Sequence, residues 1–254
     1  MFADANPINT LIVGANGGIG LAFVRKLLEF SNVARIYGTY RKPESAIALL
    51  SLEQAYPRRL CCLQVDITAE SQIADAISRI AFEVEALSLV INCVGILQDD
   101  KLKPEKSLRQ IEVDNLLRYF QINSIGSLLL AKYLLPLLRR SRRSVFATLS
   151  AKVGSIGDNL LGGWYGYRAS KAALNMFLRN VAIEYGRTSP NIIVVALHPG
   201  TTNTQLSQPF QKRVPADKLF SPERCAHQLL TVIENLAPED TGQFFSWDGS
   251  HLPW

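Results

Sequence analysis

Ile8-Asn9-Thr10-Leu11-Ile12-Val13-Gly14-Ala15-Asn16-Gly17-Gly18-Ile19-Gly20-Leu21 is the stretch on which the reading of this chain turns. A short β-prone run, Ile8 to Val13, ends in a glycine-rich turn. Behind the turn an amphipathic helix, Leu21 to Phe30, places Leu21, Val24, Leu27 and Leu28 on one side. Strand, glycine turn and helix together make a dinucleotide-binding element, because glycines let backbone approach a pyrophosphate and the helix N-terminus offers it unpaired N–H groups. The spacing satisfies two patterns. Gly14, Gly18 and Gly20 fit G-x-x-x-G-x-G, and Gly14, Gly17 and Gly20 fit G-x-x-G-x-x-G.

Outward from that turn the chain alternates. A second strand, Ala34 to Tyr40, closes a right-handed βαβ unit. Its end carries Arg41 and Lys42 and no carboxylate. An acidic residue there would hold the ribose hydroxyls of NAD, whereas an arginine accepts the 2′-phosphate of NADP. The expected cofactor is therefore NADP(H), ahead of NAD(H). Pro43-Glu44 opens a further helix. A third strand, Leu60 to Val65, leads to Asp66-Ile67-Thr68, where Asp66 either bonds an adenine amino group or caps the helix near Ala69. After the helix Glu70 to Val84, a fourth strand, Leu87 to Asn92, ends in Asn92-Cys93-Val94-Gly95, a turn suited to backbone lying beside a cofactor or to an ordinary Asx turn.

A long helical region, Glu105 to Arg139, is broken near Phe120 to Ser124, and Asn123 among isoleucines points to a polar partner inside. Ser144 to Ser150 forms a fifth strand and Asn191 to Leu197 a sixth, which runs into His198-Pro199-Gly200-Thr201-Thr202-Asn203-Thr204. Gln205 to Phe220 is polar, without periodicity, and reads as a lid. Ser221-Pro222 is a capped helix start, and Gly242 to Trp247 is a last strand. About seven strands alternating with helices give an α/β, doubly wound parallel sheet in a single domain, 1–254, with ligands at the carboxyl ends of the strands. Each marked feature falls at such an end.

Between the fifth and sixth strands lies Tyr167-Arg168-Ala169-Ser170-Lys171. Tyr167 and Lys171 are four apart, on one helix face. A phenol is a poor acid–base catalyst at neutral pH, and a fixed ammonium nearby favours its phenolate. A pair at this spacing makes a tyrosine able to exchange a proton with an alcohol or carbonyl.

Composition excludes other classes. Of 254 residues, 48% are hydrophobic and 19% charged, as in a globular domain. No uninterrupted apolar run approaches membrane-spanning length, and the polar start has no signal-peptide core. Cys61, Cys62, Cys93 and Cys225 show neither metal nor disulfide spacing, so no metal is expected and a reducing, cytoplasmic setting is. The net charge of +5 is concentrated at Arg139, Arg140, Arg142 and Arg143, read as a helix end and not as a nucleic-acid surface.

These residues resemble the short-chain dehydrogenase/reductase superfamily over essentially the whole chain: Gly14-x-x-x-Gly18-x-Gly20, Asn92-Cys93-Val94-Gly95, Asn123, Tyr167-x-x-x-Lys171 and Pro199-Gly200. The length favours its short single-domain branch and so the first glycine pattern. Val153 to Asn159, Gly162-Gly163-Trp164-Tyr165 and the end Asp248 to Trp254 resemble the C-factor or sniffer-like carbonyl reductase group. The resemblance implies a Rossmann-type fold and an NADPH-dependent reduction of an aldehyde, ketone or quinone to an alcohol. Tyr167 would donate the proton, Lys171 would lower the tyrosine pKa and hold the nicotinamide ribose, Asn123 would anchor a water relay, and a serine would polarise the carbonyl. The implied cofactor contacts are Gly14, Asn16, Gly17, Gly18, Ile19 and Gly20; Arg41, Asp66 and Ile67; Asn92, Cys93, Val94 and Gly95; Tyr167 and Lys171; and Pro199, Gly200, Thr202 and Thr204. In most relatives the serine lies three residues before a glycine, which here gives Ala151. Ser150, at the strand end, is the expected catalytic serine, with Ser155 next. Relatives pair through the helices of Glu112–Arg139 and Tyr167–Gly186, so a homodimer or homotetramer is expected, with a small carbonyl or alcohol as substrate and neither nucleic acid nor membrane as partner. A second class of function is a cofactor-binding signalling or sensor protein with little turnover.

Overall fold

The computed structural model describes residues 2 and 6–254. Seven parallel strands form one sheet in the order β3-β2-β1-β4-β5-β6-β9, and every pairing in it is parallel. They are β1 (Ile8–Val13), β2 (Val33–Tyr40), β3 (Leu60–Gln64), β4 (Leu89–Asn92), β5 (Ser144–Leu149), β6 (Ile192–His198) and β9 (Gln243–Ser246). A two-residue pair, β7 (Thr201–Thr202) with β8 (Leu219–Phe220), stands apart from the sheet. The strand order reverses between β1 and β4, which opens the crevice at their carboxyl ends where ligands bind in such sheets.

Alternation along each strand builds a core on either face. Ile12, Ile36, Ile91, Ala147 and Val195 pack under helices α1 (Gly18–Leu28) and α7 (Pro222–Asn235), joined by Leu49 of α2 (Ile47–Ala55). Their neighbours Leu11, Tyr37, Val90, Phe146 and Val194 pack under α3 (Glu70–Glu83), α5 (Gly126–Leu138) and α6 (Tyr165–Thr188). Ser221 caps α7 as its sequence implies, accepting from the Arg224 N–H at 3.1 Å. The Arg143 guanidinium donates to the carbonyls of Ile233 and Leu236 at the other end of the same helix, so part of the arginine cluster is a helix terminus device.

Three elements differ from the reading of the sequence. The first helix begins at Gly18, because Gly18 and Gly20 are part of its first turn and not of the loop before it. The helix expected from Glu105 starts at Val113; residues 93–112 are loop with one 310 turn, Leu108–Gln110. The break near Phe120 is a π-helical turn, Gln121–Ile125, which joins α4 (Val113–Phe120) to α5 without ending the helix. The resulting 26-residue helix, Val113–Leu138, is long and apolar enough by length and composition to cross a bilayer, and 56% of its apolar window is buried inside the molecule.

Candidate active site

The glycine turn shows which of its two patterns the backbone uses. Gly14 and Gly18 have φ of 78° and 50°, the left-handed region that favours glycine. A Cβ on Gly20 would lie 2.1 Å from the Gly14 carbonyl oxygen, whereas one on Gly17 would meet nothing. The required glycines are therefore Gly14, Gly18 and Gly20. Thr39 Oγ1 accepts the Gly14 N–H at 3.0 Å and the Thr39 carbonyl accepts Ala15 N–H at 2.7 Å, which ties the turn to β2. Across the crevice, Thr204 packs on Gly18, within 3.1 Å of where a Cβ would sit. The turn, the N-terminus of α1 and the segment Pro199 to Thr204 thus form one cradle, and Ile19 lies in the first turn of that helix. Asn16 Nδ2 donates to Ser45 Oγ at 3.2 Å, which holds the loop after β2 against it. Arg41 and Lys42 are exposed at that loop and enter no ion pair among the described residues. This cradle, whose Gly14, Gly18 and Gly20 leave no room for side chains and whose rim carries two exposed cations, fits a phosphorylated dinucleotide.

The other features reach the same edge. Asp66 closes an Asx turn, its Oδ1 accepting from Thr68 N–H and Oγ1 at 2.9 and 2.7 Å, while the position before α3 is Ala69. Its helix-capping alternative is thereby set aside. Ile67 packs on Gly126. Asn92 is buried, accepts the Val94 N–H at 3.0 Å and donates to Ser127 Oγ at 2.7 Å, fixing the turn through Cys93 and Gly95 to the start of α5. Asn123 sits in the π turn, which swings it inward. Its amide exchanges two hydrogen bonds with the Ile96 backbone, at 2.7 and 2.9 Å, and donates to Ser170 Oγ at 3.0 Å.

Tyr167 and Lys171 are buried on one face of α6. Lys171 Nζ donates to the Leu149 carbonyl at the end of β5 at 2.9 Å. A Cβ on Gly95 would stand 3.4 Å from that ammonium and 3.5 Å from Asn123 Oδ1, so the three groups meet beside the turn after β4. Burial alone pushes the Tyr167 phenol above its ordinary value and lowers Lys171 to about 8. The lysine was expected to depress the tyrosine; in these surroundings desolvation sets the direction for both, and the phenol is held as a neutral donor.

The tyrosine is part of a small apolar cluster. Leu97, Leu102 and Tyr119 are buried around it, with Ile96, Ala151, Val153, Trp164, Leu206 and Phe210 packed against them. The Trp164 ring is edge-on to Tyr167 at 6.2 Å and contacts Phe210 at 4.8 Å. Leu206 and Phe210 come from the segment read as a lid, which folds as two 310 turns, Gln208–Arg213 and Ala216–Lys218, and the strand β8.

Both expected serines are hydrogen-bonded to partners other than the tyrosine. Ser150 Oγ donates to Asn175 Oδ1 at 2.7 Å, eight residues and more than two turns along α6 from Tyr167. Ser155 Oγ donates to the Trp254 carbonyl at 3.2 Å and accepts from Asp158 N–H. Ala151, and neither serine, is among the residues packed against the cluster that contains Tyr167. The reason is the alternation anticipated from the strand: Ser150 continues the α6-facing side of β5 and is aligned with Asn175, and the next residue turns toward the cluster. Pro199 accepts from Thr202 Oγ1 at 3.2 Å, and Gly200, at φ 69°, leaves space filled by Phe220 and Trp247. All four cysteines are free, and burial raises each thiol, Cys62 to about 12 and Cys225 to about 11, the reverse of an activated nucleophile. Sequence reasoning missed Thr39, whose hydroxyl holds the glycine turn, and the cluster residues Trp164 and Phe210. Threonine in a strand and aromatics in loops carry no signal of their own.

The chain matches the model of the short chain dehydrogenase family over residues 9–215. The NADPH-bound carbonyl reductase from chicken fatty liver superposes with a TM-score of 0.87, at 28% identity, over 98% of this chain and 100% of that one. Carbonyl reductase Sniffer of D. melanogaster does so with a TM-score of 0.86, at 25% identity and the same coverage. The C-signal protein of Myxococcus xanthus is 32% identical over 148 residues, 58% of this chain and 84% of that protein.

Proposed function

The chain belongs to the short chain dehydrogenase family, and from that premise we propose that it is an NADPH-dependent oxidoreductase that reduces an apolar aldehyde, ketone or quinone to the alcohol. The observation that carries this reading is the meeting of the buried Lys171 with Gly95 and Asn123, one helical turn from the buried Tyr167, at the strand edge that also holds the glycine cradle. Two solved neighbours are carbonyl reductases, one of them NADPH-bound, which supports the same cofactor and reaction class here.

NADPH, when bound, supplies the hydride. The backbone N–H groups of Gly14 to Gly20 and the α1 terminus would hold its pyrophosphate, Arg41 its 2′-phosphate, Asp66 and Ile67 its adenine, and Asn92 to Gly95 with Pro199 to Thr204 the nicotinamide half. Tyr167 gives its phenol proton to the carbonyl oxygen. Lys171, still protonated at neutral pH with a value of about 8, lies one helical turn from Tyr167 on the same face and would stabilise the resulting phenolate. Asn123 keeps the Gly95–Ile96 backbone in place behind the lysine. Leu97, Leu102, Trp164 and Phe210 make the surroundings of the tyrosine apolar, which suits an apolar carbonyl compound. With Ala151 packed against this cluster, Tyr167 is the one side-chain donor to the carbonyl in this proposal.

Purified protein incubated with NADPH and a panel of aldehydes, ketones and quinones tests the reading; oxidation of NADPH dependent on the carbonyl is the expected result. A second reading, a cofactor-binding signalling protein of the C-factor type, is favoured by Ala151 and by the likeness to C-signal. NADPH that raises the melting temperature but is oxidised by no member of the panel would select it. We further propose self-association through α4–α6, where Val113, Leu117, Leu128, Met176 and Ile183 stay exposed; light scattering at micromolar concentration showing a monomer would refute that.

A further inference from the structure

The helix that carries Tyr167 lacks a cap of its own. Trp164, at the cap position, has the left-handed φ of 50° and makes no side-chain cap bond; Gly162 and Gly163 before it are left-handed as well. The first N–H groups of a helix must find acceptors elsewhere. Here they find Glu105, 61 residues upstream, in the loop after β4. Its Oε2 accepts the Gly166 N–H at 3.1 Å, and its backbone carbonyl accepts the Trp164 N–H at 2.5 Å. Glu105 is 2% exposed and forms no ion pair among the described residues. Its other oxygen, Oε1, is buried with no hydrogen-bond partner. A carboxylate buried in this manner is costly unless a positive group compensates it, and the amino end of a 24-residue helix is such a group.

The surroundings join this contact to the reacting tyrosine. A Cβ on Gly166 would lie 2.9 Å from Glu105 Oε1 and 2.4 Å from the Tyr119 ring, so glutamate and ring clasp the helix at the residue before Tyr167. Tyr119 in turn stands edge-on to Tyr167 at 6.2 Å and donates to the Leu97 carbonyl at 2.6 Å. Leu97 and Leu102 belong to the same loop as Glu105, and both are buried in the apolar cluster with Tyr167. We propose that Glu105 is a positioning residue: its carboxylate caps the first turn of α6 in trans, sets Tyr167 in its apolar cluster and fastens the loop of Leu97 and Leu102 to it. It acts through Gly166 and does not touch the substrate. This inference rests on the carbonyl reductase reading for its catalytic consequence, but not for its structural one.

Glu105→Ala and Glu105→Gln separate the possibilities, the glutamine keeping an oxygen for the Gly166 N–H. Three quantities are read: hydrogen exchange at the Gly166 amide, kcat with a carbonyl substrate, and KM for NADPH. In Glu105→Ala the amide is expected to exchange at least ~10-fold faster. kcat is expected to fall roughly 10- to 100-fold, the scale of a reacting group displaced by about an ångström, with KM for NADPH within about two-fold of wild type. Glu105→Gln is expected to recover both exchange and kcat to within about three-fold. Unchanged Gly166 exchange in the alanine variant overturns the proposal, as does a glutamine variant no better than the alanine one. Should Glu105→Ala not fold, Glu105→Asp, which withdraws the carboxylate by one methylene, is expected to show the same split at smaller amplitude, and its equality with wild type overturns the proposal. A wild-type protein that oxidises no NADPH removes the carbonyl reductase reading and leaves Gly166 exchange to decide the role of Glu105.

Discussion

At the carboxyl ends of β1 and β2 the site is made of backbone and solvent-facing charge: a turn that needs glycine at Gly14, Gly18 and Gly20, and the exposed Arg41 and Lys42. At the end of β5 and the start of α6 it is made of buried side chains: Tyr167, Lys171 and Asn123, in a wall of leucines and aromatics. The first half can hold any ligand with the right phosphates, whatever happens at its far end. The second half has one polar group per task, with Lys171 and Asn123 already engaged by the backbone of Leu149 and Ile96. Changes in the first half should therefore appear in cofactor affinity and changes in the second in turnover.

The largest expected effect tests the second half. Tyr167→Phe removes the proton donor and keeps the ring that packs on Tyr119 and Trp164. kcat is expected to fall about 10³-fold, within the range for losing a general acid, with the NADPH-induced rise in melting temperature retained. Loss of NADPH binding in this variant would dissolve the division between the halves.

How legible each half was follows from the same difference. Glycine spacing, a strand-end arginine and Tyr-x-x-x-Lys are local patterns, and their chemistry survives in one dimension; the seven strands and the edge they share were readable for that reason. The helix break near Asn123 was visible too, though not that it would be a π turn. What could not be read is alignment between distant segments. Whether Ser150 or Ala151 faces the tyrosine depends on how β5 is aligned with α6, a matter of one residue. Glu105 gave no signal, because a glutamate read as the start of a helix looks the same whether its carboxylate ends in water or under another helix.

Next in size is the first half. Arg41→Ala is expected to raise KM for NADPH roughly 10- to 100-fold, as for loss of a charge-assisted phosphate contact, and to leave NADH kinetics and kcat nearly unchanged. Equal effects on the two cofactors, in a KM comparison, would show that Arg41 does not meet the 2′-phosphate.

Lys171 sets a smaller and opposite effect on stability. Burial holds its folded value at about 8, below the ordinary 10.5, so between those values the folded protein binds fewer protons than the unfolded chain and stability gains from this group as pH rises. The cost of the buried ammonium is complete below pH 8, on the order of 3 kcal/mol, and vanishes toward 10.5. Lys171→Met sheds that cost but leaves the Leu149 carbonyl without its donor, a loss of about 1 kcal/mol or more. The inactive variant is therefore expected to melt a few degrees higher than wild type at pH 7, with the gap closing as pH approaches 10.5. A gap that stays constant across that window would mean that the lysine is not desolvated.

The smallest effects bear on the serine. If Ala151 occupies the place where a second donor would reach the carbonyl, Ala151→Ser should raise kcat, and the gain should be largest for unactivated ketones, whose oxygen needs the most help. An increase of up to ~10-fold is expected, short of the ~10² of an evolved oxyanion donor, because nothing around Ala151 orients the new hydroxyl. Ser150→Ala should behave in the opposite sense: kcat within about three-fold, but stability lower by about 1–2 kcal/mol, since Asn175 loses its buried donor and already has an unpaired Nδ2. Kinetics and urea unfolding on the two variants settle the matter together. A fall in kcat near 10² in Ser150→Ala with unchanged stability would move the serine into the reacting site and give the second half a second donor to the carbonyl.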